Sequence, residues 1–199
     1  MADNLSLKQL WNNPSYRFVV IFLGLFTLLY YFNIFFMGIT APGNFYSAFL
    51  DQHLNYIRGF RILLISVSAT LLKFFGYEVF TSDTTLHALN AGGINVVYSC
   101  LGFGVMSFFV AFVIAWPEKT VKSKLVFIPA GLLLIQALNV ARFILITLFW
   151  RTSSFRSAVD HHILFNFVLY VILLTTIYFW INKGNDKKII AKNHNPETL

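Results

Sequence analysis

The chain has 199 residues, 57% hydrophobic and 18% aromatic, with only 12% charged, about half the charged fraction of an ordinary soluble domain. With 23 Phe, 9 Tyr and 4 Trp and a mean hydropathy of +0.68, it has too little polar surface to cover a water-exposed sphere, so a soluble globular protein is excluded and much of the exterior must face lipid. The net charge of +7 comes partly from lysines beside apolar segments, which are better explained as membrane-side anchors than as a nucleic-acid surface, and a single Cys excludes an internal disulfide.

In chain order, residues 1–16 form a polar segment expected on the cytoplasmic side, carrying Lys8. The first apolar run is followed by no convincing cleavage site, so it is read as a retained span and not a removed signal peptide. Crossing ~30 Å of hydrocarbon takes roughly 17–25 apolar residues, and four stretches meet that length. They are Phe18 to Met37, Ile94 to Trp116, Leu125 to Trp150 with the single internal charge Arg142, and Ile163 to Ile181. Residues 45–75 are expected to form an interfacial or re-entrant helical segment, because the apolar core Ile62 to Leu72 lies between Arg61 and Lys73 and is too short to span. Residues 76–99 lack Lys and Arg and belong outside. The runs Val79-Phe80-Thr81 and Ile94 to Tyr98, separated by Gly92-Gly93, predict a short external β-hairpin. The tail 183–199, with Lys183, Lys187, Lys188 and Lys192, is expected to be disordered and cytoplasmic. The fold class is therefore an all-α polytopic membrane protein, one membrane domain over 1–199, with four transmembrane helices, an interfacial or re-entrant helix and the hairpin. Five spans are the alternative, but they would place the N-terminus outside.

This topology carries Cys100 to the outer membrane boundary, where the second span would begin and the positive end of a helix dipole would act on the thiol. A lone Cys in a membrane helix is ordinarily a packing residue. Arg142 is a stronger signal, because an ionised side chain inside a span costs at least ~2.5–3.5 kcal/mol at mid-helix. Its bland reading is a packing or topology charge. Against that, Gln136, Asn139 and Arg142 recur at i, i+3 and i+6 and make one polar stripe that must face protein. The third candidate is His161-His162, preceded by Asp160, at the entrance to the last span. His162, Asn166 and Tyr170 share a helix face, whereas His161 leads to Phe165 and Val168. A metal site built from Asp160, His161, His162, His87 and His53 matches no helical ligand spacing. No metal and no cofactor is expected. A thiol, a guanidinium and an imidazole at one rim suit nucleophilic acyl transfer: the thiolate attacks a carbonyl, His moves a proton to the leaving amine and Arg stabilises developing charge.

These residues resemble the exosortase and archaeosortase family of membrane-embedded cysteine transpeptidases. The resemblance rests on Val97-Tyr98-Ser99-Cys100-Leu101-Gly102, on Asn139-Val140-Ala141-Arg142 as the family's N-x-x-R, and on His162-Ile163-Leu164-Phe165-Asn166. Phe165 matches the aromatic three residues after His. Asn166 departs from the usual Gly, and Ser99 replaces the acid found before Cys in larger members. The match covers roughly Gly76 to Trp180, in the manner of the compact bacterial branch. It implies catalytic Cys100, Arg142 and His162, supported by Asn139, His161, Asp160, Asn166 and Ser99. It also implies a multi-pass protein of the cytoplasmic (inner) membrane with its site at the outer face. The implied partners are exported proteins ending in a short motif, a hydrophobic span and a basic cluster, the lipid bilayer, and a lipid- or glycan-linked acceptor of the acyl group; no nucleic acid is involved. The competing class is a non-enzymatic membrane component, a small transporter or an assembly subunit of a surface-polymer export system, in which Arg142 binds an anionic solute.

Overall fold

A computed structural model of the chain describes residues 11–41, 43, 45–149 and 161–183. Two units are distinct, residues 1–157 and 158–199. Asp160, most of the polar N-terminal segment and nearly all of the tail lie outside the described residues.

Helix α1 spans Pro14–Thr40. Asn13 caps it, its side chain accepting from the Ser15 amide at 3.0 Å, and Pro14 occupies the first turn, where no amide hydrogen is needed. Ala41 leaves the helix in extended geometry, as expected of a residue before proline. Helix α2, Ala48–His53, is followed by α3, Tyr56–Phe74. Asn55 caps α3 by accepting from the Arg58 amide at 2.8 Å. Gly76, at φ +86°, closes it in a left-handed turn with Tyr77 N–H on Leu72 O at 3.1 Å and Gly76 N–H on Lys73 O at 2.9 Å, the paired bonds of a Schellman cap. Along α3 the buried residues Ile57, Leu64, Ile65, Ser68, Ala69 and Leu72 form one stripe.

Strands β1 (Val79–Thr81), β2 (Thr85–Ala88) and β3 (Gly93–Asn95) make an antiparallel sheet in that order. A 3-10 turn over Tyr98–Leu101 then leads to α4, Phe103–Ala115. Helix α5, Val121–Phe149, contains Pro129. In the second unit, α6 runs His161–Asn182.

The fold is that of an all-α membrane protein, and among the described residues α1, α5 and α6 are long and apolar enough to cross a bilayer. The expected spans Phe18 to Met37, Leu125 to Trp150 as far as Phe149, and Ile163 to Ile181 fall on these helices, Trp150 itself lying outside the described residues. Two local corrections follow. The stretch Ile94 to Trp116 is not one helix: its first part is strand and 3-10 turn, and only 13 residues are α-helical. The expected hairpin is a three-stranded sheet, because Thr85–Ala88 inserts a middle strand whose Leu86 and Ala88 point inward. Within the helical segment expected over 45–75, the structure has α2 and the 19-residue α3, which continues through Arg58, Arg61 and Lys73.

Aromatic packing joins α1 to α4 in antiparallel sense. Phe18 meets Phe112 and Trp116, each at 5.5 Å between ring centroids, Phe22 meets Phe108 at 5.4 Å, and the Tyr30 ring lies over Gly104. Helix α5 returns alongside α4, with the fully buried Phe109 ring pressed on the backbone of Gly131. The main core gathers the α3 stripe, Leu86, Val96, Cys100, Leu101, Val140 and Phe143. The sheet and the 3-10 turn are therefore held between α3 and the C-terminal half of α5.

Candidate active site

The site is built where the 3-10 turn meets α5. Cys100 is 8% exposed and belongs to the core cluster. It does not occupy the first turn of a helix, as its sequence position predicted. The N-cap of α4 is Gly102, two residues further on, and the dipole effect fades within a helix's terminal turn. Gly102 takes φ +77°, a conformation that an L side chain adopts at a cost of ~1–2 kcal/mol.

The polar stripe on α5 faces this turn. Arg142, 6% exposed, donates from Nη2 to the carbonyl oxygen of Cys100 at 3.0 Å. Asn139, 1% exposed, donates from Nδ2 to Leu101 O at 3.4 Å and to Gln136 Oε1 at 3.1 Å. Gln136 Nε2 approaches the same Leu101 oxygen at 3.4 Å and Met106 Sδ at 3.0 Å. Two successive carbonyls after the thiol-bearing Cα are thus gripped by three side chains of one helix face. The guanidinium carbon also lies 5.6 Å from the Phe143 ring centroid, a cation–π distance. Arg142 Nε is buried without a hydrogen-bond partner. A guanidinium with one donor on a backbone carbonyl and another unspent is equipped to meet a further acceptor.

Among the other expected residues, Ser99 sits exposed in the 3-10 turn beside Cys100. His161 and His162 open α6, so both belong to the helix that carries Phe165, Asn166 and Tyr170; the side chains of His161 and His162 lie outside the described residues. His53 stacks on Phe49 at 5.0 Å, and His87 lies across from Gly93 in the sheet. Among the described residues no three His, Cys, Asp or Glu side chains are grouped as a metal site. The sequence places Gln136 on the Arg142 stripe and Gly102 beside Cys100, but assigns neither a role in the site. The signal for Gln136 was its i, i+3 relation to Asn139, and for Gly102 it was a glycine between an apolar extended run and a helix.

Fold and site together define a multi-pass membrane protein in which a lone thiol-bearing turn is clamped by an intramembrane arginine. The transmembrane exosortase family model matches residues 12–179, and the chain belongs to that family. No characterised protein and no solved structure matches it.

Proposed function

We propose that the protein is a cysteine-dependent peptidase and transpeptidase that cleaves a C-terminal sorting tail from exported proteins and passes the acyl group to a surface acceptor. The observation that carries this reading is the bond from buried Arg142 to the carbonyl of Cys100, which puts a guanidinium with an unspent Nε against the residue that bears the sole thiol. In the reaction, the Cys100 thiolate adds to the scissile carbonyl and Arg142 stabilises the oxyanion. The C–N bond then breaks as His162 gives its proton to the leaving amine, which yields a thioester on Cys100. An acceptor nucleophile, or water, displaces the thiolate and hands its proton back to the imidazole. In this reading Asn139 and Ser99 hold the turn, while Asp160, His161 and Asn166 flank the proton carrier. The site would face the outer side of the cytoplasmic membrane.

The test is a co-expressed substrate ending in a motif, an apolar span and a basic cluster. Cys100→Ala and Arg142→Ala should each abolish its processing, with normal amounts of enzyme in the membrane. Arg142→Lys should be severely impaired as well, since an ammonium cannot reproduce the planar fork of donors. An active Cys100→Ala enzyme would overturn the peptidase reading.

A further inference from the structure

A second polar site lies at the end of α1, apart from the Cys100 turn. A cleft of about 380 Å³ opens between the last turn of α1, α2, the start of α3 and the β1–β2 turn, lined by Asp51, Arg58, Arg61 and Asp83 among others. Its volume falls in the range of small-molecule sites. Its four charges are not equivalent. Arg58 is neutralised by Asp83, to which its Nε donates at 3.0 Å. Asp51 makes no ion pair among the described residues, although the Arg58 charge also acts on it: Oδ1 accepts from Asn55 Nδ2 at 2.7 Å and Oδ2 from the Tyr46 hydroxyl at 2.8 Å. Those bonds hold its carboxyl below the ordinary carboxylate range, so it is an anion at neutral pH. Arg61 has no ion-pair partner among the described residues, and its Nε is buried with no hydrogen bond. The cleft therefore presents one guanidinium without an ion-pair partner and one carboxylate whose hydrogen bonds come from neutral donors.

We propose that this cleft binds the headgroup of a zwitterionic phospholipid, with Arg61 on the phosphodiester and Asp51 on the ammonium. Guanidinium and phosphate oxygens match as a two-pronged pair. The nearby carboxylates of Asp51 and Asp83 disfavour a dianionic phosphate and a headgroup that lacks a compensating amine. Position argues for a lipid over a soluble peptide. The cleft is walled by Met37, Thr40 and Ala41, the end of a membrane-spanning helix and hence the depth of headgroups. Beside it, Phe45, Phe49 and Leu54 are 83%, 65% and 56% exposed, the apolar face of a segment that lies at the acyl boundary. The proposal does not depend on the peptidase reading.

Full-length protein in detergent micelles, titrated with dioleoyl-phosphatidylethanolamine or dioleoyl-phosphatidylglycerol and read by native mass spectrometry, tests it. The ethanolamine lipid should be retained preferentially. Arg61→Gln should bind it about tenfold or more weakly, the loss of one charge-assisted pair, and Asp51→Asn should erase the preference between the two lipids. If Arg61→Gln fails to accumulate, Arg61→Lys should accumulate and bind several-fold more weakly; unchanged binding by either variant overturns the assignment. Equal retention of both lipids by the unmodified protein overturns it too. Stabilisation by inorganic phosphate equal to that by lipid would make this a free-anion site. Displacement of lipid by millimolar acetyl-Ala-Glu-Ala-amide would make it a peptide-carboxylate site, and either result rejects the lipid.

Discussion

Gly102 is a single residue on which the geometry at the thiol depends. A Cβ there would lie 2.7 Å from Asn139 Nδ2, and the positive φ would have to be kept as well. Gly102→Ala is expected to destabilise the protein by about 1–3 kcal/mol and to reduce substrate processing, measured as the detergent-solubilised melting temperature and the cleaved fraction; an unchanged melting temperature would contradict the role given to the turn. For the two histidines, the start of α6 at His161 places both on helical backbone, with His162 on the face of Asn166 and Tyr170. Loss of a positioned proton carrier costs ~10²–10⁴-fold. His162→Ala should show that loss in a cleavage assay and His161→Ala a milder one, whereas the reverse order would exchange their roles. The Arg142 stripe was legible in the sequence because i, i+3, i+6 spacing survives in any helix. Its acceptors were not legible, because they are main-chain carbonyls and every residue has one.

At the scale of elements, the contact between α4 and α5 depends on the absence of a side chain. Phe109 occupies the space that a Cβ on Gly131 would need, so Gly131→Val should push the ring out of a fully buried site, at a cost of about 1–3 kcal/mol for overpacking. Thermal unfolding in detergent checks this, and Gly131→Val combined with Phe109→Ala should recover part of the loss. The helices α1, α5 and α6 were readable from length and lack of charge. The segment 94–116 was readable only in part: Ile94 to Tyr98 gave a β signal, but hydropathy alone cannot separate an apolar strand and 3-10 turn from the start of a helix, so the helix start at Phe103 was missed. Helix α3 lies inside the helical segment read over 45–75, and it continues through Arg58, Arg61 and Lys73 while Ile57, Leu64 and Leu72 go inward. Strand β2 escaped because four residues with His87 in the middle give no periodic signal.

For the whole molecule, the expectation of four passes, with both termini cytoplasmic and residues 76–99 outside, is open to a direct labelling test. In a Cys100→Ala background, a single Cys at Asp83 should react with a membrane-impermeant thiol reagent on intact cells and one at Asn185 should not; labelling at Asn185 would reverse the topology. The brevity of α4 has a further consequence. Thirteen residues rise about 20 Å, roughly 10 Å less than the hydrocarbon thickness. Were Trp116 to sit at one boundary, as interfacial Trp residues commonly do, the Cys100 turn would be recessed below the opposite one. For a substrate that spans the same membrane, the scissile bond must be drawn down to that depth. Under the proposed peptidase function, the enzyme would work as a ruler, choosing the bond to cut by its distance in residues from the start of the substrate's own hydrophobic span.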